Sequence, residues 1–433
     1  MASLHITGGR PLSGTVEISG AKNAASKMIL ASLLTDEPVV LRNLPRQEET
    51  DIAREIVETL GASFTWKDDH TAEMQTPKIV ATSVLGLSRK NRLSILALAP
   101  LLHRAGEAYV PKVGGDKIGP RPVNFHLDIL RAMGAEVEET SDGYRAAIKG
   151  KLQGALIELP YPSVGATETA LLAGVLAQGR MVIRNAAGEP EVKQLIMLLQ
   201  NMGANVQIDS GRTIEMVGVE KLSGAEATVI PDRLEAASFA CMALGTGGDV
   251  FVKGAQQEHL ITFLNAVRKI GGEFYVQEDG IRFKAPKALN AIQLETDVHP
   301  GFATDWQQPF VAVLTQAQGT SVVHETVYQE RFGYTEALNK MGANIALSTN
   351  CLGEVPCRFR GGNFKHSAVI NGPSNLSSAE IVIPDIRAGL AFVVAALIAK
   401  GTSTLTGLEH LDRGYERLEE KLGGIGAMIE RVG

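Results

Sequence analysis

Six times along the chain, a run with apolar residues at helical spacing ends in Gly-Ala or Gly-Gly and gives way to alternating residues. The marks are Gly61-Ala62, Gly134-Ala135, Gly203-Ala204, Gly271-Gly272, Gly342-Ala343 and Gly426-Ala427. Their intervals are 73, 69, 68, 71 and 84 residues, a regularity that marks an internal repeat. The run before each mark predicts a helix, as in Ile52–Leu60 or Leu338–Met341, closed by a glycine in the left-handed conformation. The alternation after it predicts a strand, as in Ala135-Glu136-Val137-Glu138 and Ala204-Asn205-Val206-Gln207.

A second helix in each repeat is apolar on all sides, which predicts burial on most faces. These are Met28–Leu34, Leu93–Leu102, Ala170–Ala177, Phe239–Leu244, Phe310–Leu314 and Ala391–Ala399. Five of them run into Gly106, Gly179, Gly247, Gly319 or Gly401 and then a short β-branched strand; the first uses Asp36-Glu37-Pro38. The expected fold is α/β, with three-fold packing of the units, apolar helices inside and sheets outside. At 433 residues the chain exceeds one ordinary core, so the six repeats divide into two sets of three with a seam near residues 220–235.

Composition narrows the function. A net charge of −6 and a pI near 5.9 argue against a general nucleic-acid surface, so an anionic ligand must be held by local cations. Three cysteines, Cys241, Cys351 and Cys357, form no even disulfide framework and suit a reducing cytoplasm. Cys351 and Cys357 are not in a metal-ligand spacing, so no metal centre is expected. The first residues lack a charged region followed by an apolar one, and no apolar run approaches the ~20 residues of a membrane span. A cytoplasmic protein, without a membrane partner, is expected.

The starts of the apolar helices differ in chemistry. They carry Lys22-Asn23, Arg92, Ser163 with Thr167, Asp232-Arg233, Asp305, and Asp385 with Arg387. A helix N-terminus presents unpaired N–H groups and a positive dipole end, which suits phosphate and carboxylate. Ser163, Thr167 and Asp232 are equally explained as ordinary caps. Lys22, Arg92 and Arg387 oppose the dipole, so capping does not account for them and an anion site is the better reading.

Two segments stand apart. Val113-Gly114-Gly115-Asp116-Lys117-Ile118-Gly119-Pro120-Arg121-Pro122 combines mobile glycines with stiff prolines, as in a closing lid, though a solvated turn has the same composition. Leu411-Asp412-Arg413-Gly414-Tyr415-Glu416-Arg417 reads as the start of a helix dressed with surface ion pairs.

Taken in order, these segments resemble the UDP-N-acetylglucosamine 1-carboxyvinyltransferases, a family of enolpyruvyl transferases, over essentially the whole chain. The resemblance rests on Ile18-Ser19-Gly20-Ala21-Lys22-Asn23-Ala24, the glycine-rich loop ending Arg121-Pro122-Val123, and Ser163-Val164-Gly165-Ala166-Thr167. It continues through Glu189-Pro190-Glu191, Pro231-Asp232-Arg233, Thr304-Asp305, Glu325-Thr326-Val327, Arg331-Phe332, Asp385-Ile386-Arg387-Ala388 and Asp412 to Arg417. The resemblance implies two inside-out α/β barrel domains built from six βαβαββ repeats. One is expected to span residues 21–230 and to carry a mobile lid at about 112–122; the other combines 1–20 with 231–433, with the active site in the cleft.

The implied reaction moves the enolpyruvyl group of phosphoenolpyruvate to the 3-hydroxyl of UDP-N-acetylglucosamine and releases phosphate, opening peptidoglycan synthesis without a cofactor. The resemblance makes Lys22, Arg121 and Arg413 the phosphoenolpyruvate-binding cations, with Arg387 beside them. Planar guanidinium forks suit carboxylate and phosphate. It makes Asp305 the general base against the attacking hydroxyl and Asn23 a positioning residue. Arg92, Ser163, Val164, Gly165 and Val327 fall at sugar-nucleotide contacts. Many members carry cysteine where this chain has Asp116, the implied proton donor. A carboxylate substitutes poorly for the thiolate that fosfomycin alkylates, so insensitivity to that epoxide is expected. Tyr161, where many relatives have lysine, and Tyr328 also depart from the pattern. Two other readings are a transferase for a different acceptor, including the shikimate-pathway branch, and a non-catalytic protein that binds the sugar nucleotide.

Overall fold

The computed structural model describes residues 2–87, 92–114, 122–209, 211–354 and 357–433. All six glycines that mark the repeat have positive φ, from 88° at Gly271 to 111° at Gly61. After each, the next residue's N–H reaches back into the helix, as Ala62 does to the Val57 carbonyl at 2.9 Å and Ala427 to Leu422 at 3.0 Å. This closure satisfies terminal carbonyls that would otherwise lack a partner and needs a residue without a Cβ at the left-handed position. The helix stops are therefore written locally, at the places the pattern marked.

The repeats share a βαβαββ plan, in which a distant segment lends a strand to some of them, as Ala225–Thr228 does beside Val39–Arg42. In one, Leu156–Glu158 leads through a central helix to Arg180–Arg184, which pairs parallel to it. An outer helix, Pro190–Asn201, then leads to the antiparallel hairpin of Asn205–Asp209 and Thr213–Val217. The central helices are α1 (Lys22–Ala31), α2 (Leu98–Ala105), α3 (Val164–Gly174), α4 (Arg233–Gly245), α5 (Thr304–Leu314) and α6 (Ile386–Ile398). Twelve of the thirteen residues of α6 are buried, as the all-round apolar pattern requires. Several central helices begin before the apolar run because their first turn holds the polar residues. Residues 93–102 are not one α-helix: Leu93–Ala97 forms a 3-10 turn ahead of α2.

The described residues fall into two compact units, 2–19 with 231–433, and 20–230, each with its own apolar core. Each wraps three sheets around its central helices, an inside-out α/β barrel. The N-terminal strands complete sheets of the C-terminal unit. Ser3–Thr7 lies between Thr402–Thr406 and Met428–Val432, and Ser13–Glu17 pairs parallel to Asp249–Lys253. Ser19 is fastened there by its N–H to Glu235 at 2.8 Å and its hydroxyl to Glu416 at 2.8 Å. Lys421 bridges Ser19 and Glu235 at 2.8 and 2.6 Å. Among the described residues no helix is long and apolar enough to cross a membrane.

Candidate active site

In the 231–433 unit the first turns of α5 and α6 bring opposite charges together. Asp305, second residue of α5, accepts from Arg331 Nη2 at 2.5 Å and from Arg387 Nε at 3.0 Å. The side chains of Arg331 and Arg387 are only 3% and 7% exposed, while Asp305 keeps 26%, so the carboxylate is the most exposed member of the group. Arg387 Nη1 also donates to the Tyr415 hydroxyl at 2.5 Å. Burial pushes the Tyr415 phenol well above its usual range, against the pull of Arg387, so it is a neutral partner there. Asp385 caps α6, its Oδ1 accepting from the N–H groups of Arg387 and Ala388 at 2.9 and 3.0 Å. The dipole end of α6 is thus met by Asp385, and the Arg387 guanidinium is directed into the pair with Asp305.

Arg413 is half-buried, two residues before Tyr415. The expectation of a surface ion-pair segment there is only partly right. Asp412 pairs with Arg431 and Arg417 with Glu420 on the outside, but Tyr415 and Glu416 are each 4% exposed. Val327 is buried in a turn held by Glu325, whose Oε1 accepts from the N–H groups of Val327 and Tyr328 at 2.8 and 3.1 Å. Its Oε2 accepts from Thr304 and Gln307 at 2.9 and 3.1 Å, which ties that turn to the start of α5.

In the 20–230 unit, Lys22 and Asn23 open α1; Lys22 is buried, and the helix has no side-chain cap. Gly20 lies so close to Asn43 that a Cβ would sit 1.9 Å from its carbonyl oxygen, which explains the glycine ahead of Lys22. Ser163, Val164 and Gly165 start α3. Ser163 is its cap, accepting from Ala166 N–H at 3.4 Å, and Thr167 ties Ser163 O to Ala187 N–H at 2.9 and 3.0 Å. Asp232 caps α4 by accepting from Leu234 and Glu235 at 2.7 and 3.2 Å. The capping reading therefore holds for Ser163 and Asp232. Gly165 faces the His126 ring, whose Cε1 would lie 2.9 Å from a Cβ there. Burial, with a further push from Arg92, lowers the His126 pKa to about 3, so the ring is neutral; its Nδ1 meets the Thr169 hydroxyl at 2.7 Å. Arg92 thus lies within electrostatic reach of the start of α3.

Asp116 and Arg121, and most of the lid span 112–122, lie outside the described residues. The parts played by Arg331, Tyr415 and Glu325 emerge only from the structure. They sit inside quoted segments, Arg331-Phe332, Gly414-Tyr415-Glu416 and Glu325-Thr326-Val327, but nothing in those strings tells that their side chains converge on Asp305 or its helix.

Comparison with known proteins gives the family. The EPSP synthase (3-phosphoshikimate 1-carboxyvinyltransferase) family matches residues 6–422. A UDP-N-acetylglucosamine 1-carboxyvinyltransferase of Chlamydia abortus is 48% identical over 434 residues, covering 99% of this chain and 98% of its own. The solved structure of the enolpyruvyl transferase NikO from Streptomyces tendae covers 100% of this chain and 99% of its own at 23% identity, with a TM-score of 0.87. An EPSP synthase from Acinetobacter baumannii covers both chains fully at 18% identity, with a TM-score of 0.80. The last two establish the fold alone. With Asp305 held between the buried Arg387 at the start of α6 and the buried Arg331, and with relatives matched from end to end, the chain belongs to the EPSP synthase family of enolpyruvyl transferases, in the group of the UDP-N-acetylglucosamine 1-carboxyvinyltransferases.

Proposed function

We propose that the protein transfers the enolpyruvyl group of phosphoenolpyruvate to the 3-hydroxyl of UDP-N-acetylglucosamine and releases inorganic phosphate, the opening step of peptidoglycan synthesis in the cytoplasm. The observation that carries this reading is the end-to-end match, at 48% identity, to a relative that bears that activity's name. The Asp305–Arg331–Arg387 group supplies the chemistry the reaction requires.

The acceptor hydroxyl loses its proton to Asp305 as its oxygen bonds to the central carbon of the vinyl phosphate, and the methylene carbon takes a proton from Asp116. The resulting tetrahedral adduct then returns a proton from the new methyl group to the Asp116 carboxylate as the carbon–phosphate oxygen bond breaks, restoring the double bond and expelling phosphate, which carries off the hydroxyl proton. Lys22, Arg121, Arg387 and Arg413 hold the carboxylate and phosphate of the donor. Asn23 positions the adduct, and Arg92, Ser163, Val164, Gly165 and Val327 hold the sugar nucleotide. In this reading both units act on one substrate pair, divided at residues 21–230 against 1–20 with 231–433, and the segment 112–122 closes over it. The aspartate at 116 leaves the enzyme active in fosfomycin, because a carboxylate is a poor nucleophile toward the epoxide.

The test is phosphate release from phosphoenolpyruvate with UDP-N-acetylglucosamine for wild type, Asp116→Asn and Asp116→Cys. Turnover lost in the asparagine variant, kept in the cysteine variant and newly sensitive to fosfomycin supports the reading. Tight sugar-nucleotide binding without release overturns it in favour of a non-catalytic protein. Release only with another acceptor reassigns the substrate, and time-dependent stoichiometric inactivation of wild type by fosfomycin refutes the insensitivity.

A further inference from the structure

The longest interval between repeat marks, 84 residues, has a local cause. The hairpins of the first four repeats turn in a few residues, as between Asn205–Asp209 and Thr213–Val217, but Asn344–Ser348 and Ser367–Gly372 are joined by a long excursion. That excursion carries Cys351 and Cys357, and His366 ends it. Gly353 in it lies against the ring of His324, the last residue of Ala317–His324, which pairs with Ser367 across the antiparallel ladder.

One ligand atom from each of His324, Cys351, Cys357 and His366 lies within 4.8 Å of every other. Both histidines are fully buried and both cysteines are half-buried, unbridged thiols. The imidazoles are already oriented. His366 Nδ1 donates to the Phe364 carbonyl at 2.6 Å, which turns Nε2 toward Cys351 Sγ at 3.3 Å. Ser367 Oγ donates to the Asn350 carbonyl at 2.7 Å and so accepts from His324 Nδ1 at 2.8 Å. This leaves a lone pair on His324 Nε2, a fully buried atom with no hydrogen-bond partner among the described residues. Carbonyl and hydroxyl partners on the far nitrogen are what metal-bound histidines use to set tautomer and ring orientation.

We propose that these four side chains form a structural zinc site, two thiolates and two imidazoles, that clasps the 349–366 excursion to the sheet. The donor set suits zinc: tetrahedral bonds of about 2.3 Å to sulfur and 2.0–2.1 Å to nitrogen set ligand–ligand edges of about 3.3–3.8 Å. The 3.3 Å Cys351–His366 separation is already in that range, and the widest separation closes by about 1 Å on binding. Two thiolates balance the charge of the ion, so the buried centre carries no net charge. The site was invisible to spacing rules because His324 comes from a strand far upstream and the cysteines are separated by five residues. Its apolar cover is Phe359, packed 6.1 Å from the His366 ring.

The excursion also reaches the candidate active site, since Arg358, next to Cys357, donates to the Val327 carbonyl. The site itself does not depend on the transferase reading, and the test reads metal directly. The full chain is expressed with zinc, purified without chelator or metal-affinity resin, and its metal content measured by mass spectrometry. It is then stripped under reducing conditions and titrated with Co(II). One zinc per chain, replaced by cobalt with a thiolate charge-transfer band and tetrahedral visible bands, is expected. Cys351→Ser and Cys357→Ser each lose the metal, while Cys241→Ala retains it. No zinc and no cobalt band in a wild type whose three thiols all titrate overturns the proposal, as does a Cys351–Cys357 disulfide in unreduced protein. Should the serine variants not fold, the wild-type cobalt titration decides alone.

Discussion

Replacing Asp305 by asparagine separates a chemical role for this residue from a structural one. The change keeps shape but removes the charge that two buried guanidinium groups share. The amide oxygen can still accept from one arginine, while its NH2 faces the other. One charge-assisted hydrogen bond, worth about 1.5–3 kcal/mol, is therefore lost. Asp305 is a quarter exposed, so solvent screens part of that loss, and about 2 kcal/mol is the expected destabilisation. For a unit of roughly 220 residues this lowers Tm by about 4–8 °C. Against an ordinary stability of about 5–15 kcal/mol, such a variant is almost wholly folded at 25 °C. Lost stability alone then leaves turnover nearly unchanged, whereas loss of a general base reduces kcat by about 10²–10⁴-fold. Thermal unfolding and phosphate release at saturating substrates are measured on the same preparation. A kcat within about threefold of wild type, beside the expected fall in Tm, refutes the base assignment and leaves Asp305 as a brace for Arg331 and Arg387.

Glu168, buried in α3, gives a pH signature: burial, helped by Glu191 and Glu189 and only partly offset by Lys27, raises its pKa to about 7. A carboxyl raised in the folded state binds more protons there than in the unfolded chain, so wild type loses stability as pH rises from 4.5 to about 7. Glu168→Gln is accordingly more stable than wild type at pH 8.5 by on the order of 3 kcal/mol, with the gap closing at pH 4.5; a gap in Tm that does not change with pH refutes this. Gly20→Ala places a Cβ against the Asn43 carbonyl and forces the backbone ahead of Lys22 to move, so stability falls as for an overpacked core, by about 1–3 kcal/mol, and donor KM rises; an unchanged KM counts against Lys22 binding the donor. Arg358→Ala frees the Val327 carbonyl from the excursion and raises KM for the sugar nucleotide more than it lowers kcat; equal loss in both, or none, removes Val327 from the acceptor site.

Features that depend on a few neighbouring residues can be read directly from the string. The six glycine stops are legible because a left-handed φ is a property of one residue and its flanking turns, and all six are where the pattern places them. The buried helices are legible because an all-apolar face has nowhere else to go, and the charged starts of α1, α5 and α6 stand out against them. The tertiary structure decided which of those charges meet. Asp305, Arg331, Arg387 and Tyr415 span more than a hundred residues, and only the packing of α5 and α6 with the loops that carry Arg331 and Tyr415 makes them neighbours. Strand register likewise decided that the N-terminal strand lies between Thr402–Thr406 and Met428–Val432. It also paired His324 with Ser367 and so brought two histidines to two cysteines whose spacing had no meaning in one dimension. Backbone preference and periodicity act over a few residues and leave their trace in the string. Contacts across a sheet or between helices are chosen by the burial of the whole unit, and no short segment carries that information.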